Sequence, residues 1–318
     1  MRLETQVFPG VLEVMTGRFP RHSKEFYQWR ATEVRAKLAA DMANLALLDD
    51  LAVATHKLGR QQEAIDILTA SLDIAPRRYE TLSNLGTFTI YTGDLPMSRR
   101  WLQQALVINP DAHFGRERYQ LWLVEQLMLK RDAAALPELT GGFDDASVKI
   151  LQADYACFVQ LRLNLQEGWK RDKPLRELTA GEQTKAVQGV LGMMRFADFD
   201  NPVLQAALGD LLALQTTDTK APELAALAYE HALMKTRDPL ERDALVARKL
   251  RLLANQKSQE LRVGLLKELE LNLAEGRKLA AQVRSDEVAW MRAKRDVDRE
   301  FELKYLNAQP MVALPVFR

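Results

Sequence analysis

An all-α fold built from helix–turn–helix repeats is predicted by three observations. Five residue pairs coincide at one spacing: Leu51 and Leu85, Ala52 and Gly86, Gly59 and Gly93, Leu68 and Leu102, and Pro76 and Pro110 all lie 34 apart. Elsewhere apolar residues recur at helical intervals, as in Phe26, Trp29, Val34 and Leu38. No alternating segments are bounded by hairpin turns, and the stretch PELTGG alone does not make a hairpin.

Each recurring residue has a physical task. Gly59 and Gly93 end the first helix of each pair, where a left-handed backbone suits glycine. Ala52 and Gly86 are small because the second helix crosses there, and Ala64, Ser71, Ser98 and Ala105 are small on the opposing helix. Leu48, Leu51, Leu68, Leu82, Leu85 and Leu102 fill the space between helices. Pro76 and Pro110 close the second helices.

The segments LLDDLAVATHKLGRQQEAIDILTASLDIAP and LSNLGTFTIYTGDLPMSRRWLQQALVINP resemble the tetratricopeptide repeat, whose period is 34. Thr55 and Thr89 depart from the tyrosine common in that family, and Ser98 from its alanine. The resemblance implies a right-handed α-solenoid with additional C-terminal helices.

The flanks follow in order. Residues 1–44 hold an N-terminal segment and a capping helix that Ser23 starts and that runs to about Ala40. Residues 45–130 hold the repeats and a further helix, 111–130, capped by Asp111 and read as a degenerate repeat or a cap. Residues 131–318 form a C-terminal helical region, with 131–142 a linker and helices at 144–166 and 178–196. A degenerate repeat is expected at 202–239: Leu208-Gly209 matches the leucine–small pair, Ala225, Tyr229 and Ala232 the second helix, and Pro239 closes it. Helices at roughly 239–256, 258–281 and 284–306 complete the chain, Trp290, Val297, Phe301 and Tyr305 striping the last, before a non-helical tail, AQPMVALPVFR.

Composition narrows the function. Lys plus Arg number 44 against 43 Asp plus Glu, so no global field draws nucleic acid or anionic lipid. The single cysteine, Cys157, excludes an internal disulfide framework and a four-thiolate zinc site, and reads as a small buried hydrophobe. No run is long and apolar enough for a membrane helix, and the start does not read as a signal peptide. The expected location is cytoplasmic, or exported if the N-terminus was trimmed.

No catalytic motif is found and no cofactor is expected. The four histidines contain no pair three to five apart, so no helical zinc pair forms. His113 and Glu117 share a helix face and read as a helix-start histidine beside a first-turn acid. His231 reads as a packed or surface histidine. ADFDNP lacks the glycine and glutamate of a calcium loop and reads as a helix stop with an Asx turn before Pro202. Asp49 and Asp50 point about 100° apart on a helix and make no carboxylate dyad. Arg242, Arg248, Lys249, Arg251, Lys257 and Arg262 are interrupted by acids and read as a solvated face. Arg18, Arg21, Lys24 and Arg30, mixed with Phe19, Phe26, Tyr27 and Trp29, read as part of the capping helix.

By the resemblance, first helices line a concave surface that receives a peptide or partner helix. That carries the groove onto Ala46, Asp49, Asp50, Val53, His56 and Lys57, and onto Glu80, Ser83, Asn84, Thr87, Ile90 and Tyr91. Val53 and Ile90 have packing on the neighbouring helix as their alternative role. The subfamily that clamps chaperone tails is rejected: Asn84 matches, but Asp49 stands where a lysine is needed, Val53 where an asparagine is, and Phe114 beside Arg118 where another lysine is. The expected function is a non-catalytic protein-interaction scaffold. Its rivals are an enzyme with its site in 131–318 and an RNA-binding helical-repeat protein.

Overall fold

The computed structural model describes residues 10–170, 173–215, 220–253 and 259–307, and among them there are helices and no strands. In chain order the α-helices are α1 (Val11–Met15), α2 (Lys24–Leu38), α3 (Leu45–Lys57), α4 (Gln61–Leu72), α5 (Tyr79–Tyr91), α6 (Leu95–Ile108), α7 (Arg116–Arg131), α8 (Pro137–Thr140), α9 (Asp145–Ala153), α10 (Tyr155–Gln166), α11 (Ala180–Phe196), α12 (Pro202–Ala213), α13 (Ala221–Lys235), α14 (Pro239–Leu253), α15 (Gln259–Arg292) and α16 (Val297–Phe301). The chain falls into two compact units. Among the described residues, one comprises Arg18–Pro110 and 274–307; the other comprises Val11–Gly17 and Asp111–Leu273.

In the first unit consecutive helices pack as neighbours: α2 on α3, α3 on α4, α4 on α5 and α5 on α6, with α3 also touching α5. The turn glycines sit where expected, Gly59 at φ +83° and Gly93 at φ +82°. Asn44 and Asp94 start α3 and α6 by accepting the amides of Leu47 and Met97. Ala52, Ala64, Leu68, Leu85 and Phe88 form one buried cluster. Fully burying a leucine of this kind contributes ~1.5–3 kcal/mol. A Cβ added to Gly86 would lie 2.7 Å from Leu102 Cγ, so the small residue is demanded by the crossing helix. Ser98 uses the same closeness to donate its hydroxyl to Gly86 O at 2.6 Å.

Ser23 caps α2 by accepting the Phe26 amide at 3.1 Å. One side of α2, with Phe26, Ala31, Val34 and Leu38, packs in a core with Leu51 and Ala54 of α3 and with Val283, Trp290, Val297, Phe301 and Tyr305. The apolar stripe read near the C-terminus is therefore real, but it lies on more than one element. The expected break between 281 and 284 is absent, because α15 runs unbroken past the buried Val283 to Arg292. The chain turns instead at Lys294, φ +53°, before Asp296 caps α16.

In the second unit α12 and α13 pair closely, and α13 packs on α14. A Cβ on Gly209 would meet the Tyr229 ring at 2.6 Å, the same small-against-large crossing as Gly86 and Leu102. Pro239 follows the end of α13 and starts α14, where a helix from about 239 is expected. The helix expected at 111–130 is divided: a short 3-10 turn spans Ala112–Gly115, Gly115 adopts φ +75°, and Asp111 makes no side-chain cap. Residues 131–142 are more than a linker, since α8 lies there with Leu136 and Leu139 buried. The helix expected at 144–166 is also two, because Asp154 ends α9 and caps α10 through the Cys157 amide. Thr179 and Glu182 form a reciprocal capping box at the start of α11. The tail AQPMVALPVFR and most of the loop TTDTKAP lie outside the described residues.

Candidate functional site

The face to which the sequence assigned a groove is carried by α3 and α5. Their register makes side chains meet across the pair. Asp49 takes Arg78 Nη2 at 2.6 Å and Nε at 2.9 Å, and the Thr81 hydroxyl at 3.1 Å. It is only 9% exposed. Burial pushes its carboxyl up from the ordinary value, with the Arg78 charge opposing. Asp50 turns the other way, toward α2, where Arg30 reaches it at 2.6 Å and bridges on to Asp298 at 2.6 Å. The two adjacent carboxylates thus diverge, each neutralised by its own arginine.

About two turns further along α3, His56 stacks on Phe88 with centroids 4.2 Å apart, and Tyr91 meets it edge-on at 4.9 Å. Its Nδ1–H donates to Gln61 Oε1. Burial, with Lys57 adding to it, lowers the imidazole to about 4, so the ring is neutral near pH 7. The result is an uncharged aromatic cluster whose outer member, Tyr91, is 40% exposed.

The expectation that groove residues would be exposed needs correcting for four of them. Asp49, Asp50, His56 and Ser83 are buried. The reason is geometric: these first helices have neighbours on both flanks, and their polar side chains bond across the gaps. Glu80 and Tyr91 are exposed, as is Ala46. Val53, Lys57, Asn84, Thr87 and Ile90 are half-buried. Val53 packs beside the Ala52 cluster, and Thr87 donates its hydroxyl to Ser83 O at 3.1 Å. Sequence reasoning missed the pairing of Asp49 with Arg78 and of His56 with Phe88, because no short-range spacing encodes a contact about thirty residues away.

Other chemistry-bearing residues are tied into structural pairs. His113 Nδ1–H donates to Glu117 Oε1 at 2.9 Å. Burial raises the Glu117 carboxyl, but Arg116 and His113 outweigh it and bring it to about 2. Burial pushes the half-buried Cys157 thiol up to about 12, aided by Asp154 and Asp210, so its thiolate is disfavoured. Asp210 is buried between the Tyr155 amide at 2.9 Å, the Tyr229 hydroxyl at 2.8 Å and Arg248 Nη1 at 2.6 Å. Lys249 binds Glu230, and Arg242 donates to Leu233 O and Thr236 O. The expected solvated basic face is thus partly an internal cross-link of α13 and α14; Lys257 lies outside the described residues. ADFDNP is the expected turn: Asp198 accepts the Asp200 amide and Asn201 caps α12. In the N-terminal mixture Phe19, Phe26 and Tyr27 are buried core residues. Among the described residues no three His, Cys, Asp or Glu side chains are grouped to hold a metal, and no helix is long and apolar enough to cross a membrane.

No family model matches the chain, and no curated protein matches its sequence.

Proposed function

We propose that the chain is a non-catalytic interaction scaffold of the tetratricopeptide kind. On this reading α3–α4 and α5–α6 are consecutive units of a right-handed solenoid, and α12–α13 is a degenerate unit of the same design. The α3–α5 face takes an extended peptide or helix of a partner protein. The observation that carries the reading is the repetition of a whole local geometry at one period: left-handed Gly59 and Gly93, and buried Ala52 and Gly86 beneath a crossing helix. The binding part rests on fold-level analogy, supported by the exposed Tyr91 over a neutral aromatic cluster. We place the protein in the cytoplasm.

The internal pairing of Asp49, Asp50, His113, Glu117, Asp210 and Cys157's neighbours favours this reading over an enzyme, since these groups are spent on structure. Affinity capture from native lysate, quantified by mass spectrometry, tests it. Tyr91→Ala should reduce the main captured protein by roughly tenfold or more while leaving the melting transition in place. Lys57→Ala with Asn84→Ala should reduce it less. Undiminished capture by all of these variants would move the binding surface elsewhere. The RNA alternative predicts a salt-sensitive complex with mixed RNA, and we expect none.

A further inference from the structure

Residues Val11–Gly17 form a short strap on the second unit, with Val11, Val14, Met15 and Thr16 buried. The strap packs on α11 and α13. Gly17 adopts φ +71° directly over the Phe199 ring, where a Cβ would come within 2.5 Å. One backbone oxygen of the strap takes two side chains. Met15 O accepts Gln205 Nε2 at 2.8 Å and His231 Nδ1 at 2.9 Å.

His231 is 1% exposed, and its other nitrogen, Nε2, faces Asp200 Oδ1 at 2.7 Å. A carbonyl oxygen and a carboxylate oxygen can only accept. Both ring nitrogens must therefore donate, and a neutral imidazole has one N–H. With a single ring proton, the ionised Asp200, the stronger acceptor, keeps it on Nε2, and the Nδ1 lone pair is then set against the carbonyl of the fully buried Met15.

We propose that His231 is a doubly protonated clasp that fastens the Val11–Gly17 strap to the α12–α13 pair, and that loss of one ring proton unfastens it. The alternative holder of the second proton is Asp200. Burial raises that carboxyl, but Lys235, whose Nζ lies 2.7 Å from Oδ2, and His231 outweigh the burial and lower it, so it is ionised. Asp198 sits beyond Lys235 and supports that lysine's charge. The elements packed around the ring also carry Glu13 on α1, Arg195 on α11, Asp210 on α12, Glu230 on α13, and Arg242 and Arg248 on α14. The sign follows: docking of the strap is favoured while the ring holds both protons, and weakens as pH rises and one leaves.

Two measurements test the clasp. Nitrogen–proton correlation spectra of wild-type protein should show both His231 ring nitrogens protonated at about pH 6. Hydrogen-exchange protection of the Leu12–Gly17 amides, corrected for the intrinsic rate, should fall about tenfold or more between about pH 6 and pH 9. In Asp200→Asn the amide can donate to an unprotonated Nε2, so protection of the same amides should change by less than about twofold across that range. A singly protonated ring at about pH 6, or identical pH profiles in wild type and Asp200→Asn, would overturn the proposal. The ring spectrum needs no variant, so it decides the matter even if Asp200→Asn does not fold.

Discussion

Replacing Gly86 by alanine inserts one methyl group where α6 crosses α5. The added carbon would sit 2.7 Å from Leu102 Cγ and Cδ2, and 3.4 Å from Leu102 N. Carbon atoms prefer ~3.5–4.0 Å, so Leu102 would have to retreat by about 1 Å. It has nowhere to go, because it is fully buried and the clash involves Cγ as well as the tip. Overpacking of this kind costs ~1–3 kcal/mol. Alanine also gains ~1 kcal/mol over glycine in a helix interior, which partly offsets the cost. Gly264 of α15 supplies the reference, since a Cβ there meets nothing within 4 Å. Gly264→Ala should therefore stabilise its helix by about 1 kcal/mol, and Gly86→Ala should fall ~1–3 kcal/mol below that. Peptide-resolved hydrogen exchange, read in the substituted helix against wild type, measures each effect locally. If both alanines stabilise equally, the crossing at Gly86 is not tight and the argument for small residues at this position fails.

Two further substitutions test the α3–α5 face. Asp49→Ala removes the closest partner of the Arg78 guanidinium and leaves it Glu80 at 3.5 Å, so the unfolding free energy from urea titration should drop by about 2 kcal/mol rather than the ~0.5 kcal/mol of a surface change. His56 makes the fold acid-sensitive. Its folded value is lowered to about 4 from 6.5, chiefly by burial. Acid therefore charges the unfolded chain first, and the stability this group confers is present above about pH 6.5 and falls away toward pH 4, by ~3 kcal/mol at most. His56→Gln should flatten that part of the stability-against-pH curve, and an unchanged slope would refute it.

The alternation of helix and turn over residues 45–108 was legible because it is enforced by residues with few substitutes. Gly59 and Gly93 occupy a backbone region hostile to side chains, and Gly86 and Gly209 sit under rings or branched chains from a crossing helix. Such constraints leave marks at fixed spacing. Burial of polar groups leaves none. Asp50 is held by Arg30, twenty residues earlier, and that arginine by Asp298, so its surroundings come from three distant places in the chain. His56 and Ser83 looked like solvated members of a helix face for the same reason. Helix ends followed a similar division. The capping residues Ser23, Asn44 and Asp94 were local and effective, whereas the turn at Lys294 uses a left-handed conformation at a residue that does not advertise it. The strap α1 has apolar residues at Val11, Val14 and Met15, but a five-residue helix offers too little periodicity to read.

The core around α2 has a consequence during synthesis. Phe26, Val34 and Leu38 emerge from the ribosome early, yet they are covered by Val283, Trp290, Phe301 and Tyr305, which are made near the other end of the chain. Residues 111–273 must be translated in between, on the order of ten seconds or more at ~5–20 residues per second. Throughout that interval α2 carries an apolar flank with no cover, while α3–α6 already have their neighbours. The nascent chain therefore holds this flank without its native cover until α15 and α16 are made.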